Sequence, residues 1–287
     1  MTAPALLTGL SKIADRYDAA VVDIWGVIHN GKAAFDPAVE ACRRFRAARG
    51  PVVLVSNAPR PSDVIPRQLE RLGATPDFFD AIITSGDAAR AELKARAPGP
   101  VFKLGPRRDE PIYEDLGLAF ADIDEASFIS CTGPFNDLEE TPEDYADLLA
   151  GAAARDLELI CANPDLVVQY GDRLIYCAGA LAAKYAELGG KVTYCGKPYP
   201  PIYSLARARI AEVAGQEVAS ERVLAIGDGP DTDIAGAIGE SFGSVFVAGG
   251  IHSAEFNVDG GLDLEKVGAL LAGKGRRADY ACAALVW

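Results

Sequence analysis

Four polar side chains in this sequence stand where they could act together: Asp23, Ser56, Lys197 and Asp228. The first two end short apolar runs, and the last follows one across a single glycine, as side chains at the end of buried strands do. Lys197 stands in a Gly-Lys-Pro loop ahead of a helical segment. Because the carboxyl ends of parallel strands meet at one edge of a sheet, we expect the three strand-end side chains to lie there together.

These residue types are suited to phosphoryl chemistry. Two carboxylates at neighbouring strand ends can bind a hard divalent cation such as Mg²⁺, which usually keeps waters that a phosphate can replace. A hydroxyl, a backbone amide and an ammonium can hold the other phosphoryl oxygens, and one carboxylate can attack phosphorus to form an aspartyl phosphate. Each residue also has an ordinary explanation, with Asp23 and Ser56 as strand-end caps and Lys197 as a solvated loop lysine. Their joint order and spacing favour the phosphoryl interpretation.

Short apolar runs alternate with amphipathic segments along most of the chain. Strands are predicted at 19–22, 51–57, 81–84, 222–226 and 243–247, with helices at 37–49, 62–72 and from 198 to 213. This alternation predicts an α/β fold built on a doubly wound parallel sheet.

The middle of the chain, about 87–178, is less regular and is predicted to be a small α/β insertion. Its predicted strands are 101–104, 127–131 and 157–161, followed by a hairpin whose turn is Gly171-Asp172. A helix at 180–188 and a strand at 191–195 are then expected to resume the first pattern. The predicted domains are therefore 1–86 and 179–287, forming one core, with 87–178 inserted between them.

Composition restricts the possible partners. The formal net charge of −13 argues against a surface that binds nucleic acid. The N-terminus has no basic lead for a signal peptide, and the uncharged run 241–254 is too short to span a bilayer. The six cysteines are scattered without metal-like spacing, so we expect reduced, buried thiols in a cytoplasmic protein.

Several enzyme classes are excluded by missing motifs. The sequence has no GxxxxGK[ST] loop for nucleoside triphosphates and no GxGxxG after the first strand for a dinucleotide. With only two histidines, His29 and His252, there is no HExxH motif and little basis for a Ser-His-Asp triad.

Four ordered motifs resemble those of the haloacid dehalogenase (HAD) superfamily of aspartate-nucleophile phosphohydrolases. The similarity extends to subclass IIA, the NagD-like and p-nitrophenyl-phosphatase-like hydrolases, and covers nearly the whole chain. The motifs are DIWGVIHN from residue 23, LVSNAP from 54, GKP from 196 and GDGPDTDI from 227, with CANPD from 161 and CAGAL from 177 near the insertion. The resemblance implies a Rossmann-like core with a smaller α/β cap that closes over the substrate.

The same resemblance implies a role for each matching residue. Asp23 would be the nucleophile and a metal ligand, Asp228 a second ligand, and Asp233 a carboxylate nearer the second shell of a Mg²⁺ ion. Ser56 and the Asn57 amide would donate to the phosphate, and Lys197 would steady both Asp23 and the phosphoryl group.

Trp25 is the one important departure from the family pattern. The family carries a second aspartate at this position, which protonates the leaving group and then activates the hydrolytic water; an indole does neither. Its loss should lower the rate by about 10²–10⁴-fold, the usual contribution of general acid–base catalysis. The metal site is less affected, because the family uses the backbone carbonyl here, which Trp25 retains.

Three interpretations of Trp25 remain open. The protein is a phosphatase that is slow or restricted to good leaving groups, with His29 or a cap residue as a substitute acid. Alternatively, it is a catalytically weak protein that binds a phosphate ligand or has a regulatory role. In the third interpretation, Asp23 attacks an atom other than phosphorus, as in the dehalogenase branch, or transfers the phosphoryl group to another acceptor. The metal motif and Lys197 disfavour this interpretation, because both indicate a phosphate and Mg²⁺.

The substrate class implied by the resemblance is a small phosphorylated metabolite, such as a sugar or nucleotide phosphate, and a homodimer is a further expectation. Candidate substrate contacts in the insertion are Asn136, Asp137 and Asp165, each of which also has an explanation as a surface or turn-capping residue.

Overall fold

The structure is a computed structural model that describes residues 3–170, 173–249, 256–258 and 261–287. Its strands are β1 (Ala5–Leu6), β2 (Ala19–Asp23), β3 (Val52–Ser56), β4 (Ala81–Thr84), β5 (Val101–Leu104), β6 (Phe128–Cys131), β7 (Glu158–Cys161), β8 (Val167–Tyr170), β9 (Arg173–Tyr176), β10 (Lys191–Tyr194), β11 (Val223–Gly227), β12 (Gly243–Val247), β13 (Asn257–Val258), β14 (Gly261–Leu262) and β15 (Tyr280–Cys282). The α-helices are α1 (Asp36–Ala48), α2 (Ile65–Arg71), α3 (Ser85–Ala95), α4 (Ala146–Ala154), α5 (Ala178–Glu187), α6 (Pro200–Ala214), α7 (Ala235–Glu240) and α8 (Leu264–Gly273).

The larger sheet has seven strands in the order β1-β15-β12-β11-β2-β3-β4. The pairs from β1 to β3 in this order are parallel. Strands β2, β3 and β11 are apolar along nearly their whole length and almost completely buried, as strands covered by helices on both faces must be. The predicted α/β fold with a doubly wound parallel sheet is confirmed.

Helix α1 shows how the predicted helices cover this sheet. Its buried face includes Val39, Cys42 and Phe45, the three residues that the helical spacing indicated. They join a core cluster that contains Val22 and Leu54 from the central strands. Burial of this apolar face, rather than helix propensity, therefore holds the helix in place.

The smaller sheet has four parallel strands in the order β10-β7-β6-β5. Strand β10 was expected to continue the larger sheet, and this prediction is wrong, because β10 pairs in register with β7. Hydrophobic patterning predicts a strand without indicating its sheet. The composition of β10 does differ from that of the central strands, which are uniformly apolar, because Lys-Val-Thr-Tyr mixes polar and apolar residues. In the structure β10 is an edge strand of the smaller sheet and is largely half-exposed.

Other boundaries differ by a few residues for local reasons. The predicted helix at 62–72 is a 3₁₀ turn at Ser62–Val64 followed by α2, which has a proline at its start. Helix α3, predicted near 87–97, begins two residues earlier at Ser85 because Thr84 and Asp87 form a reciprocal capping box. The predicted hairpin is confirmed by antiparallel pairing of β8 and β9, whereas its turn, Gly171-Asp172, lies outside the described residues.

The chain divides into two compact units. The first comprises Met1–Ser56, Asp63–Ile83 and Tyr203–Trp287, and the second comprises Asn57–Ser62 and Thr84–Ile202. The second unit has its own core, which includes Leu104, Leu159 and Tyr185. All six cysteines are free and buried, as expected. Among the described residues, no helix is both long enough and apolar enough to cross a membrane.

Candidate active site

Three buried carboxylates meet at the carboxyl edge of the larger sheet. Asp23 is the last residue of β2, and Asp228 follows the adjacent strand β11 directly. Each of these two and Asp233 offers one oxygen, and these oxygens lie within 4.8 Å of one another. The three residues are only 7%, 3% and 5% exposed, respectively. The structure therefore brings together the three carboxylates that the sequence analysis named as metal ligands.

Asp233 reaches this cluster through an unusual turn. Residues Pro230–Ile234 form a single π-helical turn, in which the Asp233 N–H donates to the Gly229 carbonyl at 2.9 Å. In return, the Gly229 N–H donates to Oδ2 of Asp233 at 3.0 Å, which fixes the carboxylate. Such π turns recur at functional sites because they redirect one side chain of a helix. The turn explains how the carboxylate of Asp233, five residues after Asp228, comes to lie beside those of Asp23 and Asp228.

The donor set fits Mg²⁺. Mg²⁺ takes hard oxygen ligands at about 2.0–2.1 Å, so oxygens on opposite sides of one ion are about 4 Å apart. The spacing of the three carboxylate oxygens is compatible with that geometry. Buried like charges also repel strongly without a compensating cation. Asp23, Asp228 and Asp233 would therefore hold the ion.

Gly26 allows the approach of Asp228. Its φ is +81°, and a Cβ placed on it would lie 2.0 Å from Oδ2 of Asp228. Gly26→Ala should therefore push this carboxylate out of place and raise the Mg²⁺ concentration for half-maximal activity by about 10–100-fold, as for other residues that orient metal ligands. Titration of activity or of bound metal with Mg²⁺ measures this shift.

Gly73 provides a matched control, because its φ is +98° and no atom lies within 4 Å of a Cβ placed there. Gly73→Ala should cost about 1 kcal/mol of unfolding free energy through backbone strain and leave the Mg²⁺ midpoint unchanged. Equal shifts of the Mg²⁺ midpoint in Gly26→Ala and Gly73→Ala would show that backbone strain alone, and not contact with Asp228, is responsible.

Trp25 and His29 form the loop that follows Asp23. The indole is 43% exposed, and its ring meets the His29 ring edge-on with centroids 5.2 Å apart. A Cβ on Gly31 would lie 2.5 Å from the indole, so Trp25 packs across this loop rather than into the sheet. Trp25, which the sequence motif predicts to stand at the position of the family's second aspartate, is thus a half-exposed loop side chain and a practical position for substitution.

His29 is buried and held in its neutral form. The Gly31 N–H donates to Nδ1 at 3.0 Å, which places the ring proton on Nε2, and burial lowers the pKa of the imidazole. A neutral imidazole is a weak acid. This arrangement is unfavourable for His29 as the substitute acid that the sequence analysis considered.

The lowered pKa of His29 predicts a pH dependence of stability. The unfolded chain binds this proton near pH 6.5, and the folded chain binds it only at lower pH, so stability from His29 is full above about pH 6.5 and is lost as the pH falls below it. Urea unfolding of wild type and His29→Asn from pH 7.5 to 5 should show their difference in unfolding free energy shrinking as the pH falls. A constant difference would contradict this assignment.

The other predicted phosphate-site residues are divided between the two units, with Ser56 in the first and Asn57 and Lys197 in the second. Ser56 ends β3, directly beside β2, with Val55 opposite Asp23 in the ladder. In the second unit, the backbone N–H of Lys197 donates to Oδ1 of Asn57 at 2.8 Å. Asn57 and Lys197 are both buried. From the sequence, only the amide of Asn57 is expected to act, as a phosphate donor, and the contact that its side chain makes with Lys197 is not predicted.

The three candidate substrate contacts of the insertion have partners within the protein. Asp137 accepts hydrogen bonds from both terminal nitrogens of Arg108, and Asn136 donates to Glu139 at 2.9 Å. Asp165 accepts from Nδ2 of Asn57 at 2.8 Å. These contacts give each residue a structural role, whether or not it also contacts substrate.

Comparisons with known proteins agree on one family. A family model for haloacid dehalogenase-like hydrolases matches residues 20–119, and a second HAD-type model matches residues 194–260. A haloacid dehalogenase-like hydrolase from Brucella suis 1330, known from a crystal structure, is 40% identical. The alignment covers 98% of this chain and 100% of that one, with a TM-score of 0.84.

Two further relatives are phosphatases by name. D-glycerol 3-phosphate phosphatase from Mycobacterium tuberculosis is 27% identical over 253 residues, which is 85% of this chain and 67% of that protein. The p-nitrophenyl phosphatase from Archaeoglobus fulgidus is 21% identical with a TM-score of 0.70, and the match covers 93% of this chain and 96% of that one. At this identity the second similarity shows the fold alone. The chain belongs to the haloacid dehalogenase-like hydrolases.

Proposed function

We propose that this protein is a Mg²⁺-dependent phosphohydrolase that acts on a small phosphorylated metabolite through an aspartyl phosphate at Asp23. The observation that carries the proposal is the cluster of three buried carboxylate oxygens within 4.8 Å of one another, formed where β2 and β11 end. Family membership supports the hydrolase class, and the relative named as a glycerol phosphate phosphatase supports a small phosphate ester as the substrate.

In the proposed first step, a carboxylate oxygen of Asp23 attacks phosphorus, and the bond from phosphorus to the leaving oxygen breaks. When bound, Mg²⁺ would neutralise charge on the phosphoryl oxygens. Ser56 and the Asn57 amide would donate hydrogen bonds to those oxygens, and the Lys197 ammonium would bind them as well. Asp228, Asp233 and the Trp25 carbonyl would hold the metal ion beside the carboxylate of Asp23.

In the second step, water attacks phosphorus, the bond to Asp23 breaks, and inorganic phosphate leaves. With Trp25 in place of the usual acid, the leaving oxygen takes its proton from solvent or from the substrate, and the attacking water gives its proton to solvent or to the phosphoryl group. We therefore infer a slow enzyme that prefers good leaving groups. The insertion at about 87–178, acting as a cap that excludes water, remains part of the proposal.

A second candidate function is phosphate-ligand binding with little turnover. The specific observation in its favour is Trp25, since the indole supplies neither an acid nor a base. Under this alternative, the carboxylate cluster and the phosphate donors would serve binding or regulation alone.

Steady-state hydrolysis separates the two candidates. Wild-type protein is assayed with p-nitrophenyl phosphate, both enantiomers of glycerol 3-phosphate, and a panel of sugar and nucleotide phosphates, each with Mg²⁺ and with EDTA. The proposal predicts turnover that requires the metal and is fastest with p-nitrophenyl phosphate. Absence of turnover, together with measurable binding of Mg²⁺ and inorganic phosphate, would instead support the binding protein.

A further inference from the structure

The side chain of Asn57 binds the main chain of Lys197 at two points. Its Oδ1 accepts from the Lys197 N–H at 2.8 Å, and its Nδ2 donates to the Lys197 carbonyl at 3.3 Å. The same Nδ2 donates to Oδ1 of Asp165 at 2.8 Å. The Asn57 side chain thus pairs with both main-chain polar groups of Lys197, as a residue of an adjacent β-strand would. The Asp165 carboxylate accepts a further hydrogen bond from the same amide group.

These contacts permit only one orientation of the Asn57 amide. The Lys197 N–H must face an acceptor, whereas the Lys197 carbonyl and the Asp165 carboxylate must both face a donor. A flipped amide would lose all three hydrogen bonds and place oxygen against oxygen. With its amide fixed, Asn57 holds both peptide groups that flank the Lys197 Cα, and these determine the direction in which the lysine side chain leaves the backbone.

The fold brings these segments together by strand pairing. Strands β7 and β10 are parallel neighbours with Cys161 opposite Tyr194, so the segments that carry Asp165 and Lys197 leave the same edge of the smaller sheet. The Cys195 N–H extends this pairing by donating to the Cys161 carbonyl at 3.0 Å. Asp165 itself is held by a turn in which its N–H donates to Oδ1 of Asn163 at 3.0 Å.

Gly196 shows how closely the segments approach. A Cβ at this position would lie 2.5 Å from Oδ1 of Asn57 and 2.6 Å from Cδ of Pro164. Both distances are shorter than ordinary contacts, so only glycine permits this packing next to Lys197. The contact between Asn57 and Lys197 is therefore tightly packed as well as hydrogen-bonded.

We propose that Asn57 and Asp165 are positioning residues for Lys197, with Asp165 fixing the amide of Asn57 and Asn57 fixing the backbone of the lysine. This inference rests on the proposed function, in which the Lys197 ammonium binds the phosphoryl group. It assigns Asp165 a role in the reaction through Asn57 instead of a direct contact with the leaving group. Misplacement of a catalytic group by about 1 Å is enough to cost about 100-fold in rate.

The first test compares Asp165→Ala with Asp165→Asn. The alanine variant leaves Nδ2 of Asn57 with no carboxylate, and kcat for p-nitrophenyl phosphate should fall about 10–100-fold while KM changes less. The asparagine variant keeps an Oδ1 acceptor at the same distance, so it should stay within about threefold of wild type. Asp124→Ala removes an exposed carboxylate of the same unit and should leave kcat unchanged.

A double-mutant cycle on phosphate affinity then tests whether Asp165 acts through Lys197. The affinity for inorganic phosphate with Mg²⁺ is measured by calorimetry for wild type, Asp165→Ala, Lys197→Ala and the double variant. Asp165→Ala should weaken binding in the wild-type background, and it should have no further effect once Lys197 is alanine, because coupled residues are non-additive. Binding can be measured even where a variant has no turnover.

The outcomes separate this inference from the proposed function. Equal weakening by Asp165→Ala in both backgrounds, or unchanged kcat and phosphate affinity in Asp165→Ala, would overturn the positioning role while the phosphatase proposal stands. Wild-type protein that neither hydrolyses phosphate esters nor binds phosphate would overturn both. If Asp165→Ala is unfolded by circular dichroism, Asn57→Asp replaces it in the cycle, because it keeps the acceptor for the Lys197 N–H and loses the donor.

Discussion

Asp23→Asn is expected to lower kcat for p-nitrophenyl phosphate by at least about 10⁴-fold, a loss comparable to removal of a nucleophile in other enzymes. The substitution preserves the size of the side chain and removes the carboxylate that is proposed to attack phosphorus. Because the amide is a poor nucleophile at any metal concentration, additional Mg²⁺ should not restore turnover. Steady-state rates at 1, 10 and 100 mM Mg²⁺ provide the measurement.

Asp228→Asn is the matched control, since Asp228 belongs to the same buried cluster and is not proposed to attack phosphorus. Its main effect should be on metal affinity, with the Mg²⁺ half-saturation raised about 10–100-fold and activity partly recovered at high Mg²⁺. If turnover persists in Asp23→Asn, or recovers with Mg²⁺ as it does in Asp228→Asn, then Asp23 is a metal ligand only and the nucleophile assignment is wrong.

Trp25→Asp should produce the largest gain, raising kcat for alkyl phosphates such as glycerol 3-phosphate by about 10²–10⁴-fold. The new carboxyl group would protonate the leaving oxygen and then accept a proton from the attacking water. The gain should be smaller for p-nitrophenyl phosphate, because p-nitrophenolate leaves without needing a proton. Rates with both substrates, measured side by side, test this difference.

Trp25→Asn separates the effect of adding a carboxylic acid from the effect of removing the bulky indole. It removes the same indole from the loop, including its packing over Gly31, and supplies no ionisable group. We expect it to remain within a few-fold of wild type. An equal gain in both variants would show that the indole had limited access to the site, and no gain in either would show that general acid–base chemistry is not limiting.

Much of the carboxylate cluster was predictable because its elements are local. Uniformly apolar runs that end in Asp23 and Ser56, or pass through Gly227 to Asp228, identify central strands and their carboxyl ends from short stretches of sequence. The structure also explains the glycines at positions 26 and 227, because at each of them a Cβ would collide with a carboxylate of the cluster. Local patterning of this kind needs no knowledge of distant partners.

Features that depend on distant pairing were not predictable in the same way. Strands β1 and β15 have two and three residues, too few to show a pattern, so the larger sheet contains these two strands that were not predicted and lacks β10, which was expected there. The sheet to which β10 belongs is decided by pairing with β7, more than 30 residues away. The partners of the Asn57 side chain lie 108 and 140 residues along the chain, and no spacing in the sequence indicates them.

A rapid-mixing experiment with p-nitrophenyl phosphate and Mg²⁺ tests the central claim most directly. In the proposed mechanism, Trp25 stands in place of the acid–base residue, so formation of the aspartyl phosphate would need no proton for this leaving group, whereas its hydrolysis would lack a base and should be slow. We predict a burst of p-nitrophenol equal to the concentration of active sites, a phosphorylated Asp23 in acid-quenched protein, and no burst in Asp23→Asn. Metal-dependent turnover without a burst or a phosphorylated Asp23 would contradict the account.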